Sequence, residues 1–340
     1  MNRIFFDQLP DDDMYNCSKY SIDQWIAMGK PNMLIGWFYI CSGVIYDLLY
    51  IPVLIVMLQR KFFRRACYRI MFYLGVVDFI CVTINSIICG YFTLIGSLYC
   101  THPYFTYVAG CLSTALWTTS CATCFLLAIN RCITIIRPKL ADKIFAGHRT
   151  TMLLCLPTTY FLYFFLFTPP LLFSSKYYAM FFNPFMGIPG FDAKVEEARY
   201  ASPAHTVNNV ADVVLLSCTY ITFCTLIART PSPETTSPKQ QTFVQATIIC
   251  CINAVAAVIY VVMQFLETPT ALIVIGQVAW QGSHGAPVFI YLCMNRTIRT
   301  AVLKLLKLKG HRAGVIVFGS AISPSVAVTN QSIGGKNRCF

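Results

Sequence analysis

Charged residues are scarce in this sequence. They make up 12% of its 340 residues, whereas hydrophobic residues make up 56% and aromatic residues 14%. Soluble domains usually carry about 25% charged residues, so this chain has too few polar side chains to cover a globule. The composition excludes a soluble domain and indicates an integral membrane protein.

The motifs of membrane-embedded enzymes are also missing. A Tyr-Asp dipeptide is present at Tyr46 and Asp47, but no Gly-x-Gly-Asp sequence completes the carboxylate pair of an intramembrane protease. No His-Glu-x-x-His sequence is present for a metal hydrolase. Ser283 and His284 are consecutive, so in a helix their side chains point about 100° apart and cannot act as nucleophile and base. We therefore expect no enzyme activity, no cofactor and no metal site.

Seven apolar runs are long enough to cross a membrane, which takes about 20 residues. They cover residues 34–58, 70–95, 105–130, 151–173, 207–228, 243–266 and 271–294. Because polar and apolar residues do not alternate in them, the runs indicate helices rather than barrel strands. The predicted fold is an all-α membrane protein, a seven-helix bundle with an amphipathic eighth helix. The expected layout is an extracellular segment at 1–33, the bundle at 34–294, the amphipathic helix at 295–309 and a disordered cytosolic tail at 310–340.

Lysine and arginine are distributed unevenly between the two sides of the predicted bundle. With the N-terminus outside, the outer segments hold six of these residues and the inner segments hold twenty. This bias predicts an extracellular N-terminus and a cytosolic C-terminus in a multi-pass protein of the plasma membrane. The net charge of +12 therefore predicts attraction to anionic membrane lipid, and we expect no nucleic-acid partner.

Most of the 17 cysteines lie in the apolar runs, where a thiol packs as a small hydrophobe. The sequence CATC at 121–124 has redox spacing, but hydrocarbon disfavours the thiolate. Cys17 and Cys100 lie on the predicted oxidising face, and we expect a disulfide between them, with Cys111 as the competing partner. Asn16 begins the sequon NCS on the same face and is predicted to be glycosylated.

Three aspartates lie in the apolar runs, where an ionisable residue costs about 2.5–3.5 kcal/mol on insertion scales. Asp78 lies near the middle of the second run, Asp47 in the middle of the first and Asp212 near the outer end of the fifth. Each could be a carboxyl satisfied by neighbouring helices or a functional group. We predict a functional role for Asp78 and leave both interpretations open for Asp47.

The sequence WQGSHGAPVFIYLCMNRTIR at 280–299 resembles the join between the seventh and eighth helices of rhodopsin-like G-protein-coupled receptors. Its second half has the form Tyr-x-x-x-Asn-x-x-Ile-Arg. LGVVD at 74–78 resembles the second-helix aspartate segment of those receptors. AINRC at 128–132 stands where they carry an acid-Arg-Tyr triplet.

The chain is more similar still to the nematode serpentine receptor class T chemoreceptors. The matching sequences are YNCS at 15–18, YIPVLIVM at 50–57, YCTHPYFTYVAGC at 99–111, LLAINRC at 126–132, FFNPF at 181–185, NN at 208–209 and the 280–299 sequence. The resemblance implies a G-protein-coupled chemoreceptor that binds a small-molecule ligand and signals to a heterotrimeric G protein.

This resemblance implies a ligand site in the outer half of the bundle and a coupling site at the cytosolic end. Ser113 and Trp117 precede Arg131 by 18 and 14 residues, which puts them roughly 27 and 21 Å above it at 1.5 Å per residue. The predicted ligand-binding residues are Ser113, Trp117, Gln264, Gln277 and Trp280. The predicted coupling and switch residues are Asp78, Asn130, Arg131, Tyr291 and Asn295.

Several features depart from the rhodopsin-like pattern. Asn130 stands in place of the acid beside Arg131, so we expect little restraint from an acid lock and appreciable basal activity. The sixth run contains no proline, and residues 174–206 contain no cysteine that could bridge to the third helix. Arg131 is expected to end the third helix, and residues 296–309 are expected to lie on the inner leaflet.

A ligand-gated channel or a transporter is the alternative from a different class. A transporter favours internal repeats and helices broken at the midplane, whereas a pore favours rings of charge. The sequence shows no repeat between its halves and no charge ring, which favours the receptor.

Overall fold

The computed structural model describes residues 14–191, 199–228, 248, 252–253, 255–263 and 268–307. Its α-helices are α1 (Ile22–Met28), α2 (Met33–Leu58), α3 (Arg60–Phe63), α4 (Ala66–Val82), α5 (Cys89–Ile95), α6 (Pro103–Ile136), α7 (Pro138–Phe145), α8 (Arg149–Phe167), α9 (Pro203–Ala228), α10 (Thr270–Met294) and α11 (Arg296–Leu305). A π-helical segment (Thr83–Ile88) joins α4 to α5, a 3-10 turn (Tyr99–Thr101) precedes α6, and residues 255–263 are helical. Two strands, β1 (Leu172–Ser174) and β2 (Ala179–Phe181), form a hairpin.

Four stretches of the described helices are long and apolar enough to cross a membrane. They are α2, the continuous stretch Ala66–Ile95, residues Pro103–Thr134 of α6, and α8. α9 and α10 occupy the fifth and seventh predicted runs with 26 and 25 residues. Part of the sixth run lies outside the described residues. The predicted all-α membrane fold is confirmed.

Two helix ends differ from the prediction. α6 continues to Ile136, so the expectation that Arg131 ends the third helix is wrong. The helix stops only at Arg137, because a residue before proline, here Pro138, is driven out of helical geometry. α8 ends at Phe167 rather than near residue 173, because Thr168 precedes two prolines and has extended backbone.

The π-helical segment interrupts the second span and connects it to α10. Within it, the backbone carbonyl oxygen of Asn85 accepts hydrogen bonds from the side-chain amides of Gln277 (2.9 Å) and Gln281 (3.0 Å). Gly43 of α2 packs against the same segment, where an added Cβ would lie 2.7 Å from the Ser86 side chain. The wider turn therefore exposes a carbonyl to α10 and fits closely against α2.

One end of the bundle is covered by a cap, defined here as residues 14–30 and 168–191. A disulfide joins Cys17 to Cys100, with the Cα atoms 5.6 Å apart. Trp25 of α1 is 2% exposed and belongs to an aromatic cluster with residues of the 3-10 turn, α6 and the hairpin. The cap is therefore held by a covalent bond and by its own small core.

At the opposite end, α11 follows α10 after a single residue. The side chain of Asn295 accepts a hydrogen bond from the backbone N–H of Ile298 (3.1 Å) and so caps α11. Ile298 and Val302 are buried in a cluster that also contains Tyr50 and Tyr291. The apolar face of α11 is therefore packed onto the bundle.

Candidate functional site

One face of α9 carries polar residues that are all buried. His205, Asn208, Asn209 and Asp212 are spaced i, i+3, i+4 and i+7, which places them on one side of a helix. None of the four is more than 5% exposed. Since a buried polar group needs a partner, the contacts of this face show what it can do.

The polar face of α9 lies against α6. The indole N–H of Trp117 donates to Asn209 Oδ1 at 2.8 Å, and Asn208 Nδ2 lies 3.7 Å from the Cys121 sulfur. Tyr160 of α8 donates to Asn208 Oδ1 at 3.2 Å. The α6–α9 seam is the name used below for Ser113, Trp117, Cys121, Asn208, Asn209 and Asp212.

Four polar atoms of the α6–α9 seam are buried without a hydrogen-bond partner among the described residues. They are Ser113 Oγ, Asn209 Nδ2 and both carboxylate oxygens of Asp212. The Cys121 thiol is the side chain that interacts with Asp212, but a thiol is a weak donor and makes no hydrogen bond of normal geometry to either oxygen. Each unpaired group costs about 1–3 kcal/mol, so the seam has unused hydrogen-bonding capacity.

Aromatic rings border the seam on the side of α10. The rings of Trp117 and Trp280 are 6.4 Å apart and perpendicular, and Tyr260 stands edge-on to Trp280 at 5.7 Å. The His284 ring lies 5.7 Å from that of Trp117. Apolar walls around a few polar groups are typical of small-molecule sites.

Asp78 lies at the centre of a second polar cluster, in which both of its carboxylate oxygens have hydrogen-bond contacts. One of its carboxylate oxygens is 2.7 Å from His284 Nδ1 and accepts from the Ser120 hydroxyl at 3.0 Å. The other lies 3.3 Å from the hydroxyl of Tyr50, which also donates to the backbone carbonyl of His284 at 2.6 Å. The Asp78 cluster, as we call these four residues, joins α2, α4, α6 and α10.

Trp280 fixes the orientation of the His284 ring and links the two clusters. The indole N–H of Trp280 lies 3.2 Å from His284 Nε2. Because an indole nitrogen can only donate, Nε2 is the acceptor and Nδ1 carries the proton that faces Asp78. The rings of Trp117, Trp280 and His284 therefore form a continuous path from the seam to Asp78.

The structure brings some of the predicted ligand-binding residues together and separates others. Ser113, Trp117 and Trp280 are buried at or beside the seam. Gln277 is buried too, but its side-chain amide makes hydrogen bonds to other helices. It donates to the backbone carbonyl of Asn85 and accepts from the Tyr260 hydroxyl at 3.1 Å. Gln264 lies outside the described residues.

The predicted coupling residues other than Asp78 lie toward the end of the bundle that carries α11. Asn130 is 3% exposed and lines a cavity of about 420 Å³ between α6, α7 and the α3–α4 turn. Arg131 Nη2 lies 3.8 Å from the Met71 sulfur, and Tyr291 is 1% exposed. Asn295 serves as the cap of α11.

Four residues of these two clusters were not predicted as site residues: Ser120, His284, Asn209 and Asp212. A signal for Ser120 exists, because Ser113, Trp117 and Ser120 are spaced i, i+4 and i+7 on α6. The i, i+3, i+4, i+7 spacing on α9 is a comparable signal for its polar face. The pairing of His284 with Asp78 joins residues 206 positions apart, and no local pattern predicts it.

Near the disulfide, Asn16 is exposed and its Oδ1 accepts from the backbone N–H of Ser18 at 2.8 Å. The neighbouring Tyr15 packs edge-on against Tyr99 and Tyr107, with ring centroids 5.9 and 5.4 Å away. Burial among these rings raises the pKa of Tyr15 above its usual range. Asn16 is thus accessible while the residues on either side of it are anchored.

Comparison with known proteins agrees with this architecture. The model of the serpentine type 7TM GPCR chemoreceptor family Srt matches residues 1–314. Serpentine receptor class T-55 of Caenorhabditis elegans is 26% identical over 324 residues, which cover 93% of this chain and 87% of that receptor. A family match that runs from the cap through the bundle and α11 includes every element described above. The chain belongs to the Srt family of serpentine seven-transmembrane chemoreceptors.

Proposed function

We propose that this chain is a plasma-membrane chemoreceptor that binds a small molecule in the outer half of its bundle and signals to a heterotrimeric G protein. The N-terminal segment and the cap are extracellular, and α11 is cytosolic. The excess of lysine and arginine on the α11 side, twenty against six, supports this orientation. The observation that carries the ligand site is the group of four buried polar atoms in the α6–α9 seam that have no hydrogen-bond partner among the described residues.

The unpaired atoms define the chemistry of the ligand. An ionised Asp212 only accepts hydrogen bonds, so the ligand presents an N–H, an O–H or a cationic group to it. Asn209 Nδ2 only donates, so the ligand also carries an acceptor, while Ser113 Oγ can take either role. With Trp117 and Trp280 as walls, the ligand is a compact polar molecule with an apolar or aromatic face.

The path from the seam to the Asp78 cluster supports a signalling mechanism. A ligand that moves Trp117 displaces the rings of Trp280 and His284, which contact it and each other. His284 is bonded to Asp78, and its backbone carbonyl to Tyr50. The four helices joined there can thus adopt a second packing when the ligand is bound.

The ligand site is tested by a screen on cells that express the full chain with several G proteins. The compounds are small polar molecules, and they include both protonated amines and neutral compounds of equal size. The most active compound is then applied to Asp212→Asn and to the control Asp47→Asn, which changes a buried acid bonded to Thr83 of the π-helical segment. We expect the potency to fall about tenfold or more for Asp212→Asn and little for the control. If the compound is equally potent on both variants at equal amounts of receptor on the cell surface, the proposed ligand site is wrong. A ligand-gated current from the purified chain contradicts the receptor mechanism.

We propose that Arg131 contacts the G protein, with Asn130, Tyr291 and Asn295 shaping that end of the bundle. The planar guanidinium reaches backbone carbonyls in a way that an ammonium cannot. Arg131→Lys is therefore expected to lower second-messenger output at unchanged surface level. Arg137→Lys is the control, because Arg137 is exposed and follows the end of α6. An Arg131→Lys variant that signals like the wild type shows that Arg131 is only a membrane anchor.

The proposed orientation predicts a glycan on Asn16, which is exposed next to the disulfide. Treatment with a glycosidase is expected to lower the mass of the wild type and leave Asn16→Gln unchanged. Glycan mass that persists in Asn16→Gln contradicts the assignment of this sequon.

A further inference from the structure

A cavity of about 370 Å³ lies between α3 and α11, on the side of the bundle opposite the cap. Phe62 and Ala301 line its base and are 3% and 7% exposed. Phe62 is held by an edge-on contact with Tyr68, with ring centroids 5.1 Å apart. The cavity is lined by Lys61, Phe62, Arg65, Arg296, Thr297, Thr300, Ala301 and Lys304.

The chemistry of this cavity is strongly cationic. Four of its lining residues carry a positive charge, two carry a hydroxyl group and none is acidic. Residues 59–69 contain five lysines and arginines and residues 295–307 contain four, with no aspartate or glutamate in either segment. The repulsion among these cations is therefore not offset by acids of the same segments, and an anion would relieve it.

Two cations near the cavity hold the backbone in place. Arg299 donates to the backbone carbonyl of Cys293 at 2.6 Å, and Arg69 donates to that of Phe63 at 3.2 Å. Arg296, Thr300 and Lys304, by contrast, are spaced i, i+4 and i+8 along α11, so they share one face of the helix. All three are exposed. A row of this kind along a cavity can contact several phosphate oxygens at once.

The surroundings of the cavity are those of a membrane boundary. Leu303 of α11 is 36% exposed, Leu306 directly after that helix is 51% exposed, and Leu58 at the end of α2 is 54% exposed. Leucines exposed beside a cluster of cations are typical of a helix at the interface between hydrocarbon and headgroups. Acyl chains would cover these leucines while the headgroup enters the cavity.

We propose that the cavity is a specific site for a lipid headgroup that carries two or more phosphate groups, such as a bisphosphorylated inositol lipid of the inner leaflet. The proposal rests on the cytosolic position of α11 proposed above. It differs from general attraction to anionic lipid. If the site is specific, removing charges that line the cavity lowers the affinity for the lipid more than removing the same number of charges beside it.

The test is binding of the full-length receptor, purified in nanodiscs, to a headgroup-labelled bisphosphorylated inositol lipid. The cavity variant is Lys61→Gln with Lys304→Gln. The matched control is Arg60→Gln with Lys307→Gln, which removes the same charge from the same segments but outside the lining. We expect binding to fall on the order of tenfold in the cavity variant and less than about threefold in the control. Equal losses in both variants overturn the specific site, as does equal binding of phosphatidylserine at matched charge.

A soluble polyanion has the same phosphate chemistry, so inositol trisphosphate is titrated as a competitor. We expect it to compete only at concentrations far above those of the lipid, because it has no acyl chains for the exposed leucines. Competition with an affinity equal to that of the lipid would overturn the lipid assignment in favour of a soluble phosphate ligand. The assay uses neither agonist nor G protein, so its failure is distinguishable from a failure of the receptor function.

Discussion

Asp78 and Asp212 are both buried acids of the bundle, at 1% and 5% exposure, but their surroundings are opposite. Asp78 is in hydrogen-bond contact with three side chains from three other helices. Neither oxygen of Asp212 has a hydrogen-bond partner among the described residues. The fold itself therefore satisfies the carboxyl of Asp78, whereas the described residues do not satisfy that of Asp212, which we propose is held for a ligand.

The two regions also differ in what a substitution would remove. Around Asp78, each residue completes the hydrogen bonding of another, so deletion leaves buried groups unpaired. In the α6–α9 seam, the atoms without a partner among the described residues are expected to weaken the fold, so we expect their removal to relieve that cost. Functional sites commonly trade stability for activity in this way.

The largest expected effect is that of Asp78→Ala. The change leaves His284 Nδ1 and the Ser120 hydroxyl without their acceptor, at about 1–3 kcal/mol each. We expect the unfolding temperature of the purified, ligand-free receptor to fall by many degrees, with loss of surface expression. Asp47→Ala is the control, because Asp47 accepts one described side-chain hydrogen bond, from Thr83 at 2.9 Å. An equal decrease of the unfolding temperature in the two variants would mean that the Asp78 cluster stabilises the fold no more than the Asp47 hydrogen bond does.

A smaller effect is expected for Tyr50→Phe. The variant loses the hydroxyl that donates to the His284 carbonyl and lies next to Asp78, at a cost of about 1 kcal/mol or somewhat more. Tyr291→Phe is the matched control. Tyr291 is buried in the same hydrophobic cluster as Tyr50, and its hydroxyl has no hydrogen-bond partner among the described residues. Thermal unfolding should separate the two variants, and an equal decrease in both would contradict the role given to the Tyr50 hydroxyl.

The smallest effect is expected for Ser113→Ala in the seam. Its hydroxyl is buried and unpaired within the described structure, so the unfolding temperature should stay the same or rise slightly. The neighbouring Thr114→Ala is the control. The Thr114 hydroxyl donates to the backbone carbonyl of Gly110 at 3.0 Å and accepts from the backbone N–H of Leu171 at 3.2 Å. Thr114→Ala is expected to cost about 1 kcal/mol. A loss for Ser113→Ala as large as that for Thr114→Ala would show that Ser113 is structural.

The fold was largely predictable because the thickness of the hydrocarbon core sets the length of each apolar run. Helix ends were less predictable, since they depend on local backbone chemistry that hydropathy does not measure. Thr168 shows this, because two prolines end α8 inside a run that is still apolar. The π-helical segment was not predicted either, although it positions the Asn85 carbonyl for α10.

Predictability of the site differed between its two halves. The α6 residues Ser113 and Trp117 followed from their distance to Arg131 along one helix. Asn209, which accepts from the Trp117 indole, could not be assigned, because the sequence alone does not show which face of α9 turns toward α6. The same holds for Gln277, which has the right depth for a ligand contact but is used between helices.

We propose that Asp212 is held for a ligand rather than for the fold, and the unfolding temperature of the ligand-free Asp212→Asn variant tests this most directly. Asp78→Asn is measured beside it as the isosteric change at the paired acid. We expect Asp212→Asn to unfold at the wild-type temperature or above it, because it removes a buried carboxylate that has no partner among the described residues. We expect Asp78→Asn to unfold several degrees lower. An Asp212→Asn variant that is destabilised as much as Asp78→Asn would contradict the account and make Asp212 a structural residue.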